Sequence, residues 1–137
     1  NKYKENIKGR IPLPQVSSQY WAHHKYSVMA RGYKYYSEIK EFMGSNTDKL
    51  IIENDELITT INKILALDVK ERAMANTLEH LWGYFKRSSS IEEKNIFFSC
   101  REEQYSKKLD FLYELAKKYQ QTYLLQSTIF ADRKIRH

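Results

Sequence analysis

Turn-forming and cross-linking residues are scarce in this chain: four glycines, two prolines and one cysteine among 137 residues. A β-sandwich or barrel needs frequent turns, and there is too little glycine and proline here to build them. Long helices are the alternative, so the expected fold is all-α, a single bundle of about five main helices. One cysteine, Cys100, excludes a disulfide within the chain. It also cannot supply a cysteine-rich zinc or iron–sulfur site, and no metal or cofactor is expected. Cys100 reads as a small apolar helix residue that suits a reducing cytoplasm. No apolar run reaches the ~20 residues of a membrane span, and no signal-peptide pattern is visible. The chain opens on Asn1 rather than Met, which leaves room for an upstream segment. Catalytic signatures are missing too: there is no His-Glu-x-x-His, no phosphate-binding P-loop and no Gly-x-Gly-x-x-Gly. His23 and His24 are neighbours, about 100° apart on a helix, and cannot chelate together. No catalytic residue is assigned.

The residues that are present suffice for one core: 42% are hydrophobic and 14% aromatic, too many for a disordered chain. The formal charge of +6 is unevenly spread. Residues 1–17 hold Lys2, Lys4, Lys8 and Arg10 against Glu5, and residues 131–137 hold Arg133, Lys134 and Arg136 against Asp132. The body between them keeps only about one excess positive charge. Three parts follow: an extended basic arm over 1–17, a helical domain over 18–130 and a basic C-terminal tail over 131–137. Proline in Ile11-Pro12-Leu13-Pro14 favours extended backbone in the arm.

Apolar periodicity predicts a first helix over about 18–43, with Trp21, Val28, Gly32, Tyr35, Tyr36, Ile39, Phe42 and Met43 on one stripe and Gly44 as its stop. A second helix is predicted over about 55–66, buried through Leu57, Ile58, Ile61, Ile64 and Leu65. Asp68 and Glu71 suggest a capping box for a third helix over about 69–87. Ser90 and Glu93 form a clean Ser-x-x-Glu box that opens a fourth helix to about 104. A fifth covers about 106–119 and a short one about 122–130.

The third helix has two contrasting sides. Met74, Leu78, Leu81, Trp82 and Phe85 must face the core. Arg72, Asn76, His80, Gly83 and Arg87 fall on the opposite side and form a shallow polar face. That face is a site, an ordinary solvated surface, or a close helix contact at Gly83 that buries Asn76 and His80. Lys25 sits inside the apolar stripe of the first helix, where it either snorkels to water or waits for an anion. His23, Tyr26, Tyr33 and Lys34 on the outer side mix aromatic and basic groups, as base stacking requires and as plain surfaces also show.

The run Asn76-Thr77-Leu78-Glu79-His80-Leu81-Trp82-Gly83-Tyr84-Phe85-Lys86 resembles the central Asn-x-x-x-His-x-x-Gly-Tyr-Phe-Lys signature of the bacterial YbgA-like domains, a family catalogued as of unknown function. Ser90 with Glu93-Lys94, His24-Lys25, Met29-Ala30, Tyr36 and Tyr105 extend the resemblance, and Gln126 is a looser match. Arg31 and Lys40 depart from the family's His and Gly, residues 107–112 lack its prolines, and Ala131-Asp132-Arg133 replaces its Pro-Tyr-Pro. YbgA-like domains occur alone or fused to desulfidase-type iron–sulfur domains that act on thiolated uracil. The resemblance therefore implies an accessory module that binds RNA, tRNA above all, while a partner does the chemistry. In that reading Lys86 and Arg87 meet phosphates at the exit of the third helix. Lys25 and Arg31 lie nearby, and Asn76, His80 and Gly83 line the surface. One alternative is a helical protein-interaction domain that docks on a desulfidase-like partner through Phe97, Ile129 and Phe130. Another is an enzyme that uses His80 and Lys25 in a closed pocket.

Overall fold

In the computed structural model the described residues are 13–45, 51–101 and 104–135. They form seven α-helices: α1 (Leu13–Met29), α2 (Tyr33–Ser45), α3 (Ile51–Leu65), α4 (Glu71–Trp82), α5 (Ile91–Ser99), α6 (Tyr105–Lys118) and α7 (Thr122–Leu125). A 3₁₀ turn over Thr128–Ala131 follows, and no strand is present among the described residues. No helix described is long and apolar enough to cross a membrane.

The stripe expected as one helix over 18–43 is two helices. The α-helical ladder ends with short i→i−3 bonds from Arg31 N–H to the Val28 carbonyl and from Gly32 N–H to that of Met29. The Ala30 carbonyl, freed from the ladder, accepts instead from Lys70 N–H at 3.1 Å. A Cβ on Gly32 would lie 3.1 Å from the Tyr35 ring, so glycine lets that ring close over the joint. The helix also starts earlier than expected, at Leu13 inside the proposed arm, because proline is compatible with a helix's first turn. Residues 1–12 of the arm, like 136–137 of the tail, lie outside the described residues.

Two apolar clusters share α1 as a common wall. On one side Tyr20, Trp21 and Val28 pack with Ile39 of α2 and with Leu57, Ile58, Ile61 and Ile64 of α3. On the other, Tyr26, Met29 and Ala30 join α4 to α6 and the C-terminal segment: Met74, Leu78, Leu81, Trp82, Phe85, Phe97, Leu109, Leu112, Leu124, Ile129 and Ile135 among them. Each such aliphatic or aromatic side chain contributes about 1.5–3 kcal/mol on burial. The core face expected of the third helix is therefore observed, with Leu78 and Leu81 of α4 and Phe85 just beyond it all buried. Phe97, Ile129 and Phe130 are core as well, which removes them as an exposed docking patch.

Helix ends divide into those set by local chemistry and those set by packing. The Ser90 box forms as expected: Ser90 Oγ accepts from Glu93 N–H at 3.1 Å, and Glu93 Oε1 accepts from Ser90 N–H at 2.8 Å. The Asp68 box does not form. Lys70 holds the N-cap position without a side-chain bond, and the Asp68 carboxylate takes Lys134 Nζ at 3.2 Å. Helix α4 stops at Trp82, short of the expected 87, because bonding tightens to i→i−3: Tyr84 N–H to Leu81 O and Phe85 N–H to Trp82 O. That tightening swings Phe85 into the core and turns residues 83–88 into consecutive turns. Helix α6 ends on Gln120 at φ 56°, with Gln121 N–H bonded back to the Ala116 carbonyl, a geometry in which glycine is usual.

Candidate nucleic-acid interface

Arg31 leaves the expected surface altogether. It is only 2% exposed, at the α1–α2 joint, and its five N–H donors make five bonds. Nε donates to the Leu67 carbonyl, and one terminal nitrogen to Ser27 O and Asp132 Oδ2. The other terminal nitrogen donates to Leu65 O and Asp132 Oδ1. The planar fork thus seals the C-terminal end of α3, where a cation is favoured, and pairs with a carboxylate from beyond the 3₁₀ turn. No donor remains for a phosphate. Asp132 and the buried Ile135 make residues 131–135 part of the folded body, so the expected tail is docked for most of its length.

Beside this pair, α1 is stitched to the 3₁₀ turn. The Thr128 hydroxyl donates to the His23 carbonyl at 3.1 Å, so its oxygen accepts from Ser27 Oγ at 2.9 Å and from His24 Nδ1–H at 3.0 Å. Burial, and secondarily His23, pull the His24 imidazole down to about 4, while Asp132 opposes them. His24 is thus neutral when folded and titrates near 6.5 when unfolded, so its contribution is complete above pH 6.5 and is lost as pH falls towards 4. Part exposure limits the loss to about 1–2 kcal/mol. Thermal melts at pH 7 and pH 5 should show the wild type losing several degrees and His24→Gln losing little. An equal loss in both would refute this role for His24.

The polar and aromatic residues gather elsewhere, around Tyr26. Tyr26 is buried rather than outward-facing as expected, and its hydroxyl meets that of Tyr84 at 2.9 Å. Burial and that bond push its phenol well above the usual tyrosine range, with smaller contributions from Tyr123 and Tyr36. Lys25 lies across this group, its ammonium 5.3 Å from the Tyr26 ring centre and 5.0 Å from that of Tyr123. From Tyr36 the rings continue to Tyr33 at 5.4 Å, and Tyr33 stacks on His80 at 6.0 Å. Three of these tyrosines reach solvent: Tyr33 at 47%, Tyr84 at 36% and Tyr123 at 39% exposure.

The other expected site residues distribute as follows. Lys86 and Arg87 are exposed and follow Tyr84 in the turn after α4, not on a helical face. His80 is exposed, and Asn76 is half-buried one turn before it. Gly83 is exposed, and a Cβ there would lie 3.1 Å from the His80 carbonyl. The atoms nearest to that Cβ belong to the same turn, and no neighbouring helix packs against it. Lys25 and Tyr84 thus come together through Tyr26, and His80 and Tyr33 come together by stacking. Tyr84 stood inside the recognised motif without being singled out, and nothing in the sequence pairs Tyr123 with Lys25. The four clefts described do not join His80 to Lys25. Among the described residues there is no group of three or more His, Cys, Asp or Glu placed to hold a metal.

Residues 25–132 match the family described as "Protein of unknown function (DUF1722)". The chain belongs to this family. The matched span begins at Lys25 and ends at Asp132, so it takes in the aromatic group and both partners of the buried ion pair. No curated protein and no solved structure matches the chain.

Proposed function

We propose that this domain binds RNA, tRNA foremost, as a non-catalytic accessory module in the cytoplasmic handling of thiolated nucleosides. The observation that carries the reading is the exposed surface of Tyr33, Tyr84 and Tyr123 with Lys25 against it and Lys86 and Arg87 in the turn alongside. Aromatic faces stack on bases and cations neutralise phosphates, the two halves of sequence-tolerant RNA binding. The thiolated-nucleoside context is supported by the resemblance to YbgA-like domains and their fusion to desulfidase-type domains. Binding to bulk tRNA at two salt concentrations tests it. Affinity should fall as salt rises, and Arg87→Ala should weaken binding across RNA sequences and flatten the log–log slope by about one phosphate contact. Retention of wild-type affinity and slope by an Arg87→Ala, Lys86→Ala double variant would show that the turn is not the phosphate contact.

A second reading has its own observation. Ile91 and Phe98, seven residues apart and so on one face of α5, are both largely exposed. An apolar face of this kind suits docking on a desulfidase-like protein. Phe98→Asp should then abolish association with such a purified partner and leave tRNA affinity unchanged.

A further inference from the structure

We infer that the aromatic surface takes unpaired nucleobases, so that the domain engages a single strand, such as a loop or an end of a folded RNA, and not a helical stem. This rests on the nucleic-acid reading above and narrows it. The three exposed rings come from three separate segments: Tyr33 from the first turn of α2, Tyr84 from the turn after α4 and Tyr123 from α7. They are therefore not the outer stripe of one helix. Buried Tyr26 gathers them, touching Tyr84 directly, sharing Lys25 with Tyr123, and lying near Tyr36, which contacts Tyr33. Three partly exposed tyrosine rings in one group offer apolar faces that a partner can cover.

The cover must present flat faces. In a duplex each base face is already stacked on its neighbour, and an RNA stem offers only edges, sugars and phosphates to a protein. An unpaired base has both faces available, and every base has such a face. Lys25 and His80 are arranged to the same effect. Lys25 lies over exposed Tyr123 and buried Tyr26, and His80 stacks on exposed Tyr33, so both extend the platform. With about one excess positive charge on the body between the two ends, phosphate attraction there is weak, and stacking must supply more of the affinity.

The test uses the full chain and fluorescence anisotropy at one salt concentration. The probes are an unstructured mixed-sequence RNA strand of about twelve nucleotides, the same strand as DNA, and the RNA paired with its complement. The RNA strand should bind at least about tenfold tighter than the duplex. Tyr33→Ala and Tyr84→Ala should each lose about tenfold on the strand, and Tyr33→Phe and Tyr84→Phe should retain it, because phenylalanine keeps the stacking face. Melting temperatures measured beside affinity show that these variants of exposed residues remain folded. Equal binding of the DNA strand also supports the inference, since base faces are common to both sugars. A duplex that binds as tightly as the strand, with no effect of either alanine variant, overturns the inference and leaves RNA binding standing. Failure of every probe and of bulk tRNA at low salt overturns both.

Discussion

Arg31→Met should lower the melting temperature by about 10–20 °C. The substitution keeps much of the side-chain volume but removes all five hydrogen bonds of the guanidinium. It leaves the Asp132 carboxylate, itself 8% exposed, without the cation 2.5 Å away. Breaking a buried pair from one side costs about 3–5 kcal/mol, because the surviving charge stays desolvated. For a domain of this size each kcal/mol moves the midpoint by about 3–5 °C. Three carbonyls, of Ser27, Leu65 and Leu67, lose a donor at the same time. Arg31→Met combined with Asp132→Leu should recover part of the loss, since no uncompensated charge then remains. Tryptophan fluorescence or calorimetry reads this directly, and a shift under 2 °C would show that the pair contributes little. The same variant separates a buried role from a phosphate contact. Measured below its melting point, its tRNA affinity should keep the wild-type salt slope, whereas loss of a phosphate contact lowers that slope by about one.

Phe85→Ala should be comparably severe, at about 3–5 kcal/mol. Phe85 is completely buried, packs with Trp82 and Tyr119, and is the anchor of the turn that carries Tyr84, Lys86 and Arg87. Removing its ring empties a large volume in the α4–α6 cluster, which close-packed neighbours fill only in part. The urea midpoint should fall sharply at an unchanged slope. Trypsin should cut sooner after Lys86 and Arg87, since the turn loses its anchor to the core. Tyr84→Ala is the control. It sits next to Phe85 but is exposed, and its hydroxyl's bond to Tyr26 is worth about 1 kcal/mol. If Phe85→Ala and Tyr84→Ala shift the urea midpoint equally, the turn is not held by the core.

Features that depend on residues three or four apart were legible from the chain alone. The Ser90–Glu93 box, the burial of Met74, Leu78, Leu81 and Trp82, and the apolar set of α3 follow from a helical period and a cap, and both are local. The joint between α1 and α2 was not legible. Trp21, Val28, Tyr35, Tyr36 and Ile39 pack into or against the same cluster, so the stripe runs on in phase across the break at residues 30–32. Long-range pairing of Ala30 O with Lys70, and of Arg31 with carbonyls at and just past the end of α3, holds the break there.

The candidate site divides along the same line. Lys25, His80, Lys86 and Arg87 were expected at a surface from residue type, position and resemblance, and all four are exposed or half-buried. Arg31 could not be placed, since whether a guanidinium faces a phosphate or a carboxylate depends on what packs over it. Here that is Asp132, 101 residues away. Tyr84 and Tyr123 joined the site because Tyr26 is buried between their segments, a contact with no sequence spacing to announce it. The sequence by itself determined the all-α class, the capped start of α5 and the core face of α4, through local periodicity and hydrogen bonding. The tertiary structure alone decided which cation was sealed inside and which rings were left facing water, because burial depends on segments far apart along the chain.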